Sequence, residues 1–311
     1  MNILITGASG FIGSKLIQKL DNNNNVLRVL ARKKYLHYDT VICNLGSEVI
    51  PEKAFEGVDT VIHLAGYAHD LSSTFEREKI YYDVNYTATV DLFKFAIKKS
   101  VKNFVYISTV KAGGYDDNKK CMEEIDQVQP TNIYGASKRK AEIEILRLSE
   151  TSDINVSIIR PALVYGDEMK GNLASMSNAI KKGWFPPIPD SKNRRSMICV
   201  YDLIDAIIFI ASDLKSNGNI YNATDGICYS SRDIYKALCH VNRKKIPKWF
   251  VPKIVFFIMA FVGSKIKILP FDLQKYDKLF SNECYSSKKL LRLGFAPKYN
   301  FLSYINKLNS K

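Results

Sequence analysis

The chain has 311 residues, 46% of them hydrophobic and 24% charged. Those proportions exclude a disordered or fibrous protein and leave a globular one long enough to build a core and a deep pocket. Lys and Arg total 45 against 31 Asp and Glu, a formal net charge of +14, but the basic residues fall in short groups such as Arg32-Lys33-Lys34 and Lys138-Arg139-Lys140. Spread in this way, they suit anionic small molecules and argue against a nucleic-acid partner.

In chain order, Asn2–Thr6 reads as a short buried strand, and Phe11–Leu20 carries apolar residues at helical spacing. Strands are expected at Val26–Leu30, Val41–Cys43, Thr60–Leu64, Asn103–Ser108 and Val156–Ile159, with long helices at Val84–Lys99 and Asn132–Leu148. Strands of about five residues alternating with longer helices predict an α/β fold, a Rossmann-type doubly wound parallel sheet. After Pro161 the pattern loosens, and prolines punctuate shorter elements. The expected division is a dinucleotide-binding domain over 1–165, with 197–212 returning to it, and a smaller C-terminal substrate-binding lobe over 166–196 and 213–311.

The strand-like MNILITG at the start leaves no room for a secretory signal. Six cysteines without a CxxC pair, and four scattered histidines, point to reduced thiols in a cytoplasmic protein with no metal site. His63 reads as a structural strand-end residue and His69 as a loop histidine. The longest apolar run, Ile254–Val262, is too short to span a bilayer, which needs about 20 residues. Together with the lysines around it, segment 249–267 reads either as a buried lobe helix with snorkelling ends or as a weak peripheral contact at the inner face of a membrane.

Three glycines, Gly7, Gly10 and Gly13, lie between the first strand and the first helix. Glycine lets backbone approach a pyrophosphate closely, and the helix beginning at Phe11 and Ile12 aims free N–H groups at it. At the end of the second strand, where a carboxylate would accept hydrogen bonds from an NAD ribose, stand Ala31 and Arg32. A guanidinium there suits a 2′-phosphate, so NADP(H) is favoured over NAD(H).

Tyr134-Gly-Ala-Ser-Lys138 places a phenol and an ammonium at i and i+4 on one helix face. An adjacent ammonium stabilises phenolate, so Lys138 is expected to lower the Tyr134 pKa and make it a proton carrier for an alcohol. Thr109, about 25 residues earlier at a strand end, offers a hydroxyl to the reacting oxygen.

With these motifs the chain resembles the extended short-chain dehydrogenases/reductases that act on nucleotide sugars as epimerases, dehydratases and reductases. The likeness rests on Gly7–Gly13, His63-Leu-Ala-Gly66, Asn85, Ser108-Thr109, Tyr134–Lys138, Arg160-Pro161 and Val200-Tyr-Asp-Leu203, and covers roughly residues 1–210. It implies that Gly7, Gly10, Phe11, Ile12 and Gly13 hold the pyrophosphate. It also puts Arg32, Asn44, Leu64, Ala65, Gly66, Asn85 and Pro161 along the cofactor, with Tyr134 and Lys138 reaching it. Asn44 stands where the family usually has Asp. Thr109, Tyr134 and Lys138 become the catalytic group, and Thr109, Lys111, Asn172 and Arg195 the substrate contacts. The resemblance further implies a UDP-sugar substrate and a homodimer paired through the two long helices. Val110 and Lys111 replace the acids a dehydratase needs. The favoured reaction is reduction of a UDP-4-keto-(6-deoxy)-N-acetylhexosamine for surface polysaccharide. The alternatives are a UDP-glucose/UDP-N-acetylglucosamine 4-epimerase and, from another class, a non-catalytic NADP(H) sensor.

Overall fold

Ile3, Leu4 and Ile5 are all fully buried, so the first strand, β1 (Asn2–Thr6), is covered on both faces, as parallel sheets require. The computed structural model describes every residue except 23–24, 69–74, 119–120, 168–170, 267–270 and 310–311; His69 lies outside the described residues. Around β1 run β2 (Val26–Ala31), β3 (Asp39–Ile42), β4 (Thr60–His63), β5 (Asn103–Ile107), β6 (Asn155–Pro161) and β9 (Asn219–Ala223). They form a seven-stranded sheet in the order β3-β2-β1-β4-β5-β6-β9, and every pairing is parallel. The order reverses between β1 and β4, which opens a crevice at their C-terminal ends.

One face of the sheet packs on α1 (Phe11–Asp21) and α6 (Val200–Ser212) through Leu16, Ile17, Leu203 and Ile207. The other packs on α3 (Ala88–Lys98) and α4 (Ile133–Ser149) through Leu92, Phe93, Ala141 and Ile145. The expected helix Val84–Lys99 is instead α2 (Phe75–Tyr82), a π-helical turn at Asp83–Thr87, and then α3. One extra residue per turn there rotates Asn85 into the interior, where it is fully buried.

A second sheet, β10-β8-β7, joins β7 (Leu163–Tyr165), β8 (Arg195–Cys199) and β10 (Cys228–Tyr229). It gathers α5 (Gly171–Lys181), α7 (Ser231–Val241), α8 (Lys253–Lys265), α9 (Leu273–Phe280) and α11 (Phe301–Asn309) around Ile188, Leu238, Phe256 and Phe301. Two details differ from the sequence reading. Within 197–212, β8 pairs in the small sheet, while Ile198 and the inner face of α6 pack in the main core. Residues 219–223, placed in the lobe by sequence, form β9 along β6, with α10 (Lys288–Leu293) set against it.

The cysteines are also a correction. The fold places Cys284 Sγ at bonding distance from both Cys121 and Cys228. Their three sulfurs lie within 4.8 Å of one another, a spacing that ligands of one metal ion also have. No local spacing announces this triad, because its members come from the loop after β5, from β10 and from the segment before α10. Cys43, Cys199 and Cys239 are buried free thiols.

Candidate active site

The glycine loop closes on itself at the C-terminal end of β1. Gly10 N donates to the Gly7 carbonyl at 3.0 Å. Gly7 has a positive φ of 74°, and a Cβ there would stand 2.6 Å from Ala65 N; a Cβ on Gly13 would meet the Gly7 carbonyl oxygen. Side chains are therefore excluded where the loop crosses Ala65. Gly10 caps α1 without a side-chain acceptor, so the first N–H groups of the helix remain open to an anion. Phe11, Ile12, Leu64 and Ala65 are half-buried along this loop.

His63 is a structural strand-end residue, as its position suggested. It is fully buried, with Nδ1 2.6 Å from Thr6 Oγ1 and Nε2 2.8 Å from Thr89 Oγ1. Burial first, and Lys138 second, hold its pKa well below the ordinary value, so it is a neutral tie between β1, β4 and α3.

Asn132 caps α4 by accepting from Gly135 N at 2.9 Å. The first turns of this helix then carry Tyr134 and Lys138 to the end of β5. Lys138 is fully buried; its Nζ donates to the Ile107 carbonyl at 3.0 Å and sits 4.7 Å from the Tyr106 ring centre. A Cβ on Gly66 would lie 3.1 Å from Lys138 Nζ and 3.1 Å from Asn85 Oδ1, so the bare Gly66 backbone is where Lys138 and Asn85 meet the end of β4. Asn85 accepts from Tyr67 N at 2.7 Å and donates to Tyr67 O and Ser137 Oγ. Its amide is spent on fixing the β4 loop against α4, a positioning role.

Tyr134 is half-buried, with the Thr109 hydroxyl near enough to act on its phenol. Burial pushes Tyr134 up to about 12, partly offset by Thr109, with Tyr81 adding to the rise. Burial pulls Lys138 down to about 7, against the opposing pull of Glu142. The expectation that Lys138 lowers the Tyr134 pKa is thus reversed in the protein alone. Desolvation outweighs the ammonium, which is turned toward Ile107 O. Beside Thr109, Ser108 Oγ is buried and, among the described residues, has no hydrogen-bond partner. An orphaned hydroxyl at the crevice fits a bound group.

Arg195 and Lys111 meet at Glu283. Arg195 Nη2 lies 2.8 Å from Glu283 Oε2, Lys111 Nζ lies 3.6 Å from Oε1, and Arg195 Nη1 donates to the Lys278 carbonyl. Burial raises the Glu283 pKa, but Arg195 and Lys111 outweigh it and hold the carboxyl below its usual range. With the Lys278 ammonium also acting on Glu283, three cations around one carboxylate leave surplus positive charge. Asn172 stands exposed in the first turn of α5 and, among the described residues, makes no hydrogen bond to this cluster. Arg32 is exposed just past β2, and Asn44 is exposed with its N–H bonded to Glu48. Pro161 ends β6.

Sequence reasoning missed the support beneath the site. Arg160 and Glu142, 2% and 1% exposed, form a two-pronged ion pair that ties β6 to α4. A Cβ on Gly113 would come 2.8 Å from Arg160 Nη1. The Arg160-Pro161 pair was visible in the sequence; its partner was not.

A glycine cradle at the reversal point of a parallel sheet, with a buried phenol and a buried lysine one helical turn apart beside it, is the layout of an α/β dinucleotide-binding fold. The profile of the NAD dependent epimerase/dehydratase family matches residues 3–224, and the chain belongs to that family. The UDP-glucose 4-epimerase of Vibrio cholerae is 30% identical over 258 residues, 81% of this chain and 78% of that protein. The N-acetyl-alpha-D-glucosaminyl-diphospho-ditrans,octacis-undecaprenol 4-epimerase of Escherichia coli O157:H7 is 28% identical over 81% of this chain and 75% of its own. Among solved structures, MoeE5 in complex with UDP-glucose and NAD superposes with a TM-score of 0.79 at 19% identity, over 100% of this chain and 99% of that one; it shares the fold.

Proposed function

We propose that the protein is an NAD(H)-using 4-epimerase of a hexose or N-acetylhexosamine carried on a diphosphate, with a UDP-sugar as the substrate class. The observation that carries this reading is Tyr134 buried beside Thr109, with Lys138 one helical turn on and held at the bare Gly66 backbone. The 4-epimerase names of both relatives move the preference from net reduction, which the sequence favoured, to epimerisation. The NAD in the MoeE5 complex and in the family's description moves it from NADP(H) to NAD(H).

The residues fit a dinucleotide. Gly7, Gly10 and Gly13 with the first N–H groups at Phe11 and Ile12 would take the pyrophosphate. Arg32 and Asn44 would flank the adenosine half, and Leu64, Ala65, Gly66, Asn85 and Pro161 would line the path to Tyr134 and Lys138. Bound there, the cofactor would accept hydride from the sugar C4 and return it, and its positive ring would favour phenolate. Tyr134 would take the proton from the C4 hydroxyl and give it back after the keto sugar has turned over. Thr109 would steady that oxygen by hydrogen bonding, and Lys138 would hold the phenol's charge. Lys111, Arg195 and Asn172 would grip the diphosphate, so that binding energy remote from C4 orients the reacting carbon.

A second reading is reduction of a UDP-4-keto-6-deoxy-N-acetylhexosamine with NADPH; it is favoured by Arg32, exposed where an acid would select NAD. The E. coli relative's name adds a polyprenyl diphosphate as an alternative carrier. The proposal extends to a cytoplasmic homodimer paired through α3 and α4, and to contact with the membrane's inner face through 249–267. The test is incubation of purified protein with UDP-N-acetylglucosamine or UDP-glucose and no added cofactor. Appearance of the C4 epimer by NMR supports the reading. No epimer, with NADPH-dependent reduction of a UDP-4-keto sugar, replaces it with the second.

A further inference from the structure

α8 is apolar on nearly every side, yet only Phe256, Ala260 and Gly263 are buried. Those three positions, i, i+4 and i+7, make one narrow inward stripe. The rest of the helix faces solvent: Ile254 is 63% exposed, Ile258 54% and Phe261 49%. An all-round apolar helix left open is the mark of a surface that something covers. No helix among the described residues is long and apolar enough to cross a membrane, so α8 is not a span.

Of the chain's two tryptophans, Trp249 lies four residues before this helix and Trp184 three residues before Pro187. Val251 N donates to the Pro187 carbonyl at 3.0 Å, which brings together the segments carrying Trp184 and Trp249. Both rings are out in solvent, at 79% and 62% exposure. Exposed indoles beside apolar side chains are the composition of a membrane–water boundary.

The charge on this segment is all of one sign. No Asp or Glu occurs between Asp233 and Asp272, while Arg243, Lys244, Lys245, Lys248, Lys253 and Lys265 all do, and each of these six is exposed. A second copy of the chain would bring like charges together across a two-fold contact. An anionic surface would neutralise them.

We propose that the outward face of α8, with Trp184 and Trp249, is a docking surface for an anionic lipid bilayer. It rests on the proposed function only for the leaflet, the cytoplasmic one, and deepens the membrane contact by naming its lipid chemistry and its side chains. The helix lies flat, its apolar residues in the acyl boundary and its lysines among the headgroups. The docked face is one helix away from the cation cluster. Phe256 packs edge-on against Phe280 of α9 at 5.3 Å, and the Lys278 carbonyl of α9 takes the Arg195 guanidinium.

Vesicle flotation of the intact protein tests this without any sugar substrate. Vesicles of phosphatidylcholine with phosphatidylglycerol should carry the protein up, with a blue shift of Trp emission. Pure phosphatidylcholine should carry at least tenfold less, on the order of 1 kcal/mol being lost per basic residue left unpaired. Phe257→Glu/Phe261→Glu, two exposed positions outside the catalytic group, should abolish flotation while turnover of a soluble UDP-sugar is kept. Lys253→Gln/Lys265→Gln should weaken it about 30-fold. Failure of the wild-type protein to float on anionic vesicles overturns the proposal. So does a stable oligomer, seen by sedimentation, that Phe257→Glu/Phe261→Glu splits. Neither result touches the epimerase reading, which stands or falls on turnover of a soluble sugar.

Discussion

Lys138 Nζ donates to the Ile107 carbonyl at 3.0 Å, at the C-terminal end of the strand that leads into Thr109. The ammonium is thereby fixed one helical turn from the Tyr134 phenol, inside the protein rather than on an exposed helix face. Burial then drives the two groups apart in acidity, Tyr134 up to about 12 and Lys138 down to about 7. In the protein alone the phenol keeps its proton, and the lysine is the group that titrates near neutrality.

Tyr134→Phe removes the proton carrier and leaves the ring packed beside Tyr81. Turnover should fall by about 10²–10⁴, with the amount of NAD carried by the purified protein unchanged. Steady-state kinetics and nucleotide release on denaturation measure the two. Undiminished turnover would take Tyr134 out of the mechanism.

The lysine makes a pH prediction for stability. Its folded pKa of about 7 lies below the ordinary 10.5, so between those values the unfolded chain binds one more proton than the folded one. Its contribution to stability therefore rises with pH across that window. Lys138→Met removes the effect. The stability of the variant minus that of the wild type should fall by ~3 kcal/mol from pH 7 to pH 9.5, read by urea unfolding. A difference that does not vary with pH would mean that Lys138 titrates normally.

Gly7→Ala meets both a positive φ and the Ala65 backbone. It should cost about 1–3 kcal/mol and strip bound NAD from the protein, measured by thermal unfolding and nucleotide content. Gly57→Ala, where φ is also positive but nothing lies within 4 Å, should leave nucleotide content at the wild-type level.

Arg160→Met leaves the Glu142 carboxylate buried and unpaired, which should cost about 3–5 kcal/mol. Arg160→Met/Glu142→Leu should recover most of that loss. Urea unfolding of the two variants, side by side, decides whether the pair is a structural tie between β6 and α4.

Arg195→Ala should raise KM for a UDP-sugar by roughly 10–100-fold, the loss of one charge-assisted contact to phosphate, with kcat changed much less. An equal fall in kcat at unchanged KM would place Arg195 in the scaffold, through its hold on Glu283 and the Lys278 carbonyl.

The parts of this protein legible in the sequence are those fixed by neighbours along the chain. The Gly7–Gly13 loop, the buried strand before it and the Tyr134–Lys138 turn depend on local spacing, and the structure places each at the C-terminal edge of the sheet. Contacts between distant segments were illegible. Glu142 beneath Arg160, Glu283 between Arg195 and Lys111, and the Cys121–Cys228–Cys284 triad each pair residues with no shared local pattern. The Val200-Tyr-Asp-Leu203 motif shows both sides. Its helix was readable, but Asp202 serves to accept the Lys298 and Tyr299 backbone N–H groups at 3.0 and 2.9 Å, a tie across 96 residues. The acidity of Tyr134 was misread because spacing gives the charge partner and says nothing of desolvation.

The path of the C4 hydrogen tests the central claim most directly. UDP-N-acetylglucosamine or UDP-glucose bearing deuterium at C4 is incubated with the enzyme and excess unlabelled NAD⁺ or, in a parallel arm, NADP⁺, and the products are read by NMR. Return of hydride within one active site predicts that the C4 epimer keeps its deuterium and the added nucleotide gains none. Deuterium recovered in the added nucleotide, with no epimer formed, would contradict the account.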